Sequence, residues 1–191
     1  MAGRTDFAVF IDRDGTVVFD KHYLADQEEL SIIPTVPEGI KKLNDAGIPV
    51  IAVTNQSGIA RGRFDETTLA GIHRHLIEML ENRGARIDDI YYCPHLPDTG
   101  CGCRKPAPGM LLSASQEHSI NLTESYVIGD RIIDIELAHR VGAKGVLVPE
   151  PGDQYHIDDE IEASMEKPDI RKETFADAVD WILEDIKRRA R

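Results

Sequence analysis

Two carboxylates one residue apart, Asp12 and Asp14, follow directly on the apolar run 7–11. Such a run has the composition of a buried strand. In an extended backbone residues i and i+2 project to the same side, so both carboxylates face whatever lies beyond the strand end. Gly15 lets the chain turn away sharply there. Two like charges this close need a counter-charge, and magnesium accepts carboxylate oxygens while keeping positions for water and phosphate oxygens. A polar strand end before a turn would explain an isolated D-x-D. The buried run before it and Gly15-Thr16 after it favour chemistry.

A second cluster lies mid-chain. Cys93-x-His95, five residues, then Cys101-x-Cys103 supplies four soft or borderline ligands and uses every cysteine of the sequence. Cys3His is a regular tetrahedral zinc set, and with no position left open the ion would be structural. It would pin a loop otherwise rich in Pro and Gly (Pro94, Pro97, Gly100, Gly102). The competing reading is three buried free thiols beside a surface histidine. Arg104 and Lys105 come next, so the zinc would set the aim of the lysine. The other six histidines (His22, His73, His75, His118, His139, His156) show no ligand spacing and are expected at the surface or in packing.

The elements that must position these groups alternate. A helix over 37–47 has proline in its first turn and Gly47 as its stop. Residues 49–53 form a buried strand running into Thr54 and Asn55. An amphipathic helix covers 64–83, with Leu69, Ile72, Leu76, Met79 and Leu80 on one face. A short strand over 90–92 leads into the cysteine loop, and a helix begins near 108–109. A strand over 125–128 ends at Gly129-Asp130, then a helix over 132–141 and a strand over 145–148 follow. Residues 150–170 are acidic and read as a loop or short strand. A closing helix spans 175–187, with Trp181 in its core and basic residues near its end.

This pattern implies right-handed crossovers and a parallel sheet covered by helices on both faces, an α/β Rossmann-like fold in a single domain over 1–191. Ligands bind such sheets at the carboxyl ends of the strands. Asp12 and Asp14, Thr54 and Asn55, and Asp130 all fall just past expected strands, so they should converge at one edge. A carboxylate nucleophile forming an aspartyl-phosphate suits Asp12, and Asp14 is placed to protonate the leaving oxygen and then activate water. Magnesium held by Asp12, Asp130 and the main-chain carbonyl of Asp14, with the Thr54 hydroxyl and Lys105, would stabilise the phosphoryl charge. Taken singly, Thr54-Asn55 reads as a turn, Lys105 as a surface lysine and Asp130 as a helix cap.

A net charge of −12 over 191 residues argues against a general nucleic-acid or membrane-surface binder. No apolar stretch approaches a membrane span, and the first residues lack a signal peptide's apolar segment. The chain is expected to be cytoplasmic and monomeric.

Asp12-Arg13-Asp14-Gly15-Thr16, Thr54-Asn55, Lys105-Pro106 and Gly129-Asp130 with Asp134 resemble the four ordered motifs of the haloacid dehalogenase superfamily of phosphohydrolases. The resemblance covers about 7–148. It implies Asp12 as nucleophile, Asp14 as acid/base, Thr54 and Lys105 on the phosphoryl group, and Asp130 on magnesium. It also implies a capless member, because neither interval that carries a cap in such enzymes has room for one. Specificity would then fall to loops at the sheet edge, around Asp20 and Tyr23, the 56–62 turn beginning Gln56-Ser57, and the zinc loop with Arg104.

The stretches 54–62, 91–95 and 103–112 are similar to the family of D-glycero-D-manno-heptose-1,7-bisphosphate 7-phosphatases, which use magnesium, carry a structural zinc and serve the synthesis of activated heptose for surface polysaccharides. That similarity implies Asn55, Gln56 and Ser57 near the substrate and Arg104 and Arg131 on its second phosphate, where a planar bidentate donor suits the task. The span between His95 and Cys101 is shorter than that family's. Histidinol-phosphate phosphatases share the zinc loop and the Cys-Arg-Lys-Pro run and are the nearest alternative. A non-catalytic, zinc-stabilised binding module is the alternative of another class, although it would have no need of Asp14 or Asp130.

Overall fold

The computed structural model describes residues 5–21 and 23–189. His22 and the side chain of His156 lie outside what is described. Six strands form one parallel sheet: β1 (Val9–Ile11), β2 (Val50–Asn55), β3 (Asp89–Cys93), β4 (Tyr126–Gly129), β5 (Lys144–Leu147) and β6 (Ile170–Arg171), in the order β3-β2-β1-β4-β5-β6. The chain runs outward from β1 to β3, then returns to β4 on the other side of β1. Strand order therefore reverses between β1 and β4, where an open α/β sheet leaves its ligand crevice.

The helices are α1 (Val36–Asp45), α2 (Glu66–Glu81), α3 (Gly109–His118), α4 (Ile132–Arg140), α5 (Gln154–Ala163) and α6 (Phe175–Arg189). Period-two alternation along the strands sorts the core into two layers. Val9, Ile11, Val50, Ala52, Tyr126 and Ile128 pack with Ile40 and Leu43 of α1, Ile72 and Leu76 of α2, and Val179 and Ile182 of α6. Ala8, Phe10, Ile51, Val53 and Val127 pack with Met110, Leu111 and Ala114 of α3 and Leu137 and Ala138 of α4. Burial on both faces explains why the strands read as continuous apolar runs.

Pro37 lies in the first turn of α1, and the Asp65 carboxylate caps α2 by accepting from the Thr68 amide at 2.7 Å. Trp181 is partly buried and meets Tyr126 edge to face, with ring centroids 6.3 Å apart.

The acidic stretch 150–170 differs from its expectation of a loop or short strand: most of it is α5, and only Ile170 and Arg171 pair as a strand. Ile157 and Ile161 of α5 pack on Ile132, Ile135 and Leu147. Two apolar residues one turn apart among acidic ones are enough to seat a helix on a neighbour, yet too few to show as a periodic face.

Candidate active site

Register places the chemistry. Ile11 lies opposite Ala52 of β2 and Ile128 of β4, so Asp12, Thr54 and Asp130 emerge together at the carboxyl edge. The Asp12 amide still pairs with the Ile128 carbonyl at 2.9 Å, which fixes the Asp12 side chain at the strand tip. Gly15 then turns the chain with φ +79°, and a Cβ there would sit 2.3 Å from Oδ2 of Asp130. Only glycine meets both the backbone angle and this approach.

Lys105 is 3% exposed, and its Nζ donates to Asp12 Oδ1 at 2.8 Å and Asp134 Oδ1 at 2.7 Å. Oxygens of Asp12, Asp130 and Asp134 lie within 4.8 Å of one another. Burial pushes the Asp12 carboxyl up to about 7, helped by Asp134 and Asp14 and opposed by Lys105. Burial, then Asp12 and Asp134, also holds Asp130 well above the carboxylate range. Burial alone would lower Lys105, but Asp12 and Asp134 overturn that and raise it. Three carboxylates around one ammonium leave a surplus of negative charge in a hard-oxygen setting, which is what a magnesium ion needs. Asp134 is fully buried and also accepts from the Arg131 amide at 3.3 Å, so it serves Lys105 and the start of α4.

Asp14 is held differently. Its Oδ2 accepts from Thr54 Oγ1 at 3.1 Å and from Gln56 Nε2 at 2.8 Å, and both its oxygens accept from Arg13. Thr54, expected on the phosphoryl group, thus lies 1% exposed against the carboxylate of Asp14. Gln56 is likewise engaged inside the protein, since its Nε2 also reaches Thr54 Oγ1 at 2.8 Å. The Asn55 side chain accepts from the Lys105 amide at 3.0 Å and donates to the Lys105 carbonyl at 3.4 Å. The strand-end amide therefore fixes the backbone that carries the lysine.

Cys93, His95, Cys101 and Cys103 come together. Cys93 Sγ lies 3.1 Å from Cys103 Sγ and 3.6 Å from Cys101 Sγ, and His95 Nδ1 lies 3.2 Å from Cys103 Sγ. A tetrahedron with Zn–S bonds of about 2.3 Å has edges of roughly 3.8 Å. The thiols are unpaired as disulfides, and two of their three Sγ separations lie at those edges while the third is shorter, so the cluster is compatible with zinc. The Gly109 amide donates to Gly102 O at 2.9 Å, and a Cβ on Gly109 would lie 2.4 Å from that oxygen. Loop and α3 are locked together on both sides of Lys105.

A cavity of about 400 Å3 is lined by Asp12, Asp14, Asp20, Thr54, Asn55, Arg104, Lys105, Asp130, Arg131, Ile133 and Glu160. A second, of about 330 Å3, shares Asp14, Asp20, Asn55 and Arg104 and adds Arg13, Tyr23, Gln56, Ser57 and Gly58. Every residue assigned to catalysis or substrate from the sequence lines one or both. Tyr23 has φ +72° and carries Arg63 5.9 Å above its ring. Arg104 donates to the His95 carbonyl at 3.3 Å, and Arg131 forms an ion pair with Glu160 of α5.

Sequence reasoning missed two groups, Arg13 and His73. Arg13 is the largest fully buried side chain, and its Nη1 lies 3.2 Å from Nε2 of the buried His73, sixty residues away. The run Asp-Arg-Asp signals a charge pair, but nothing local announces the histidine that completes it.

A HAD-hydrolase-like family model matches residues 102–178. The chain is 40% identical over 145 residues to the D-glycero-beta-D-manno-heptose-1,7-bisphosphate 7-phosphatase of Rhodopseudomonas palustris, covering 72% of this chain and 81% of that protein. The protein of the same name from Photorhabdus laumondii is 43% identical over 146 residues, covering 72% and 78%. A crystal structure of D,D-heptose 1,7-bisphosphate phosphatase from B. bronchiseptica, complexed with magnesium and phosphate, superposes with a TM-score of 0.83 at 30% identity, covering 97% of this chain and 99% of that one. Fold and site therefore define a phosphatase of the HAD hydrolase class. Within that class, the chain belongs to the D-glycero-beta-D-manno-heptose-1,7-bisphosphate 7-phosphatase family.

Proposed function

We propose that this chain removes the 7-phosphate of D-glycero-D-manno-heptose 1,7-bisphosphate by magnesium-dependent hydrolysis through an aspartyl-phosphate on Asp12. The observation that carries this reading is the placement of Asp12 at the β1 tip, 2.8 Å from Lys105, in a cavity that also holds Arg104 and Arg131. The relatives named above act, by their names, on the same bisphosphate. Asp12, Asp130 and the main-chain carbonyl of Asp14 would hold the magnesium, and Cys93, His95, Cys101 and Cys103 a structural zinc. Bound magnesium supplies Lewis-acid stabilisation of phosphoryl charge.

The rest falls to side chains. A carboxylate oxygen of Asp12 attacks phosphorus while the bond to the sugar C7 oxygen breaks, and Asp14 gives that oxygen its proton. Asp14, now a carboxylate, takes a proton from water as the water oxygen attacks the same phosphorus. The acyl-phosphate bond breaks, Asp12 is restored, and inorganic phosphate leaves. Lys105, within reach of the attacking carboxylate, offsets charge on the transferring group. Arg104 and Arg131 can grip the remaining phosphate in two-point fashion.

Phosphate release from the α and β anomers of the bisphosphate, from heptose 7-phosphate and from histidinol phosphate, each with magnesium or EDTA, tests the reading. Highest kcat/KM on a bisphosphate anomer, abolished by EDTA, is expected. A large preference for histidinol phosphate, or release indifferent to EDTA, would overturn it.

A further inference from the structure

Arg13 is a buried charge that the hydrolytic scheme does not use. Its guanidinium divides its donors between two acceptors. Nε reaches Asp14 Oδ1 at 3.1 Å, Nη2 reaches both Asp14 oxygens at 2.8 Å, and Nη1 faces His73 Nε2 at 3.2 Å. The Arg13 side chain is 2% exposed, against 24% for Asp14. Because the guanidinium is always charged and only donates, His73 must accept through Nε2 and is therefore neutral with its proton on Nδ1. Burial, then the nearby Arg13, holds its titration down to about 4, in keeping with that tautomer. Tyr92 of β3 meets the imidazole edge-on at 6.1 Å, which restricts its tilt.

We propose that Arg13 and His73 are positioning residues. His73 anchors the guanidinium, and the guanidinium sets the carboxyl of Asp14, which lines both cavities, where a leaving-group oxygen must meet it. The inference rests on the functional reading above and adds who aims the acid. Fixed orientation matters because proton donation in the transition state is worth about 10²–10⁴-fold and depends on hydrogen-bond geometry. Lysine cannot replace Arg13, since one ammonium cannot span Asp14 and His73 in one plane.

Leaving-group dependence separates this role from a structural one. p-Nitrophenolate departs without a proton, whereas a sugar alkoxide does not, and kcat/KM reports only steps through phosphorylation of Asp12. Arg13→Lys, His73→Phe and His73→Gln are compared with the parent on heptose bisphosphate and on p-nitrophenyl phosphate. For Arg13→Lys, the loss on the sugar phosphate is expected to exceed the loss on p-nitrophenyl phosphate by about tenfold or more. His73→Phe should show the same bias at about threefold to tenfold, and His73→Gln, which keeps an acceptor, should narrow it. If Arg13→Lys fails to fold, the histidine pair decides alone. Equal losses on both substrates, or none, overturn the proposal. A parent chain that releases phosphate from neither substrate overturns the functional reading itself.

Discussion

Replacing Lys105 by methionine keeps most of the side-chain volume and removes the one ammonium among three carboxylates. At the 4.8 Å that bounds the oxygens of Asp12, Asp130 and Asp134, an ionised pair repels by about 3.5 kcal/mol at an effective dielectric near 20. Proton uptake relieves part of this, because burial already pushes Asp12 up to about 7 and Asp130 upward as well. The remaining cost is that of breaking a buried ion pair, about 3–5 kcal/mol. A divalent cation offsets the same repulsion, so magnesium should protect the variant more than the parent. Urea unfolding with and without magnesium chloride measures both effects, and kcat/KM on the bisphosphate should fall by about 10²–10³-fold, the cost of one preorganised charge donor. Equal magnesium protection in parent and variant, or an unfolding free energy unchanged in EDTA, would refute the charge balance proposed for the site.

The remaining expectations are more local. Cys101→Ser or zinc chelation frees the loop that ends on Lys105, so turnover should fall by about tenfold or more with Asp12 and Asp14 intact; metal analysis should find one zinc per parent chain, and full activity without zinc would contradict the loop's role. Glu160→Gln removes the carboxylate paired with Arg131, so KM for the bisphosphate should drop by up to about fivefold while that for a monophosphate moves little; a rise in both would contradict this. Asp185 accepts from Tyr126 at 2.8 Å and Lys144 at 2.6 Å. Burial works against its charge, but these donors hold the carboxyl below its ordinary value. Its stabilisation is present above the unfolded pKa and lost as pH falls through the folded one. Asp185→Asn should therefore cost about 1.5–3 kcal/mol near neutrality and less on acidification, as pH-dependent urea unfolding would report.

The sheet and the place of the site were legible because both follow from local patterns. Uniform apolar runs such as 50–53 mark strands buried on both faces, and each chemistry-bearing cluster sits one or two residues past such a run. The clustering of Cys93, His95, Cys101 and Cys103 was legible for a similar reason, since their spacing lies within one loop. What resisted reading depends on distant partners. Arg13 meets His73 across sixty residues, and Asn55 and Gln56 turn to Lys105 and Asp14 as well as lining the cavities. The helix α5 was hidden because two isoleucines anchor it among acidic residues. Its Glu160 reaches the cavity only through tertiary packing.

The proposed chemistry turns on a covalent phosphoryl group on Asp12, and acid quenching during turnover of the bisphosphate followed by peptide mass spectrometry looks for it directly. A phosphorylated peptide carrying Asp12, absent from Asp12→Asn along with phosphate release, is the predicted result. Phosphate release at the parent rate by Asp12→Asn, with no adduct on that peptide in either protein, would contradict it.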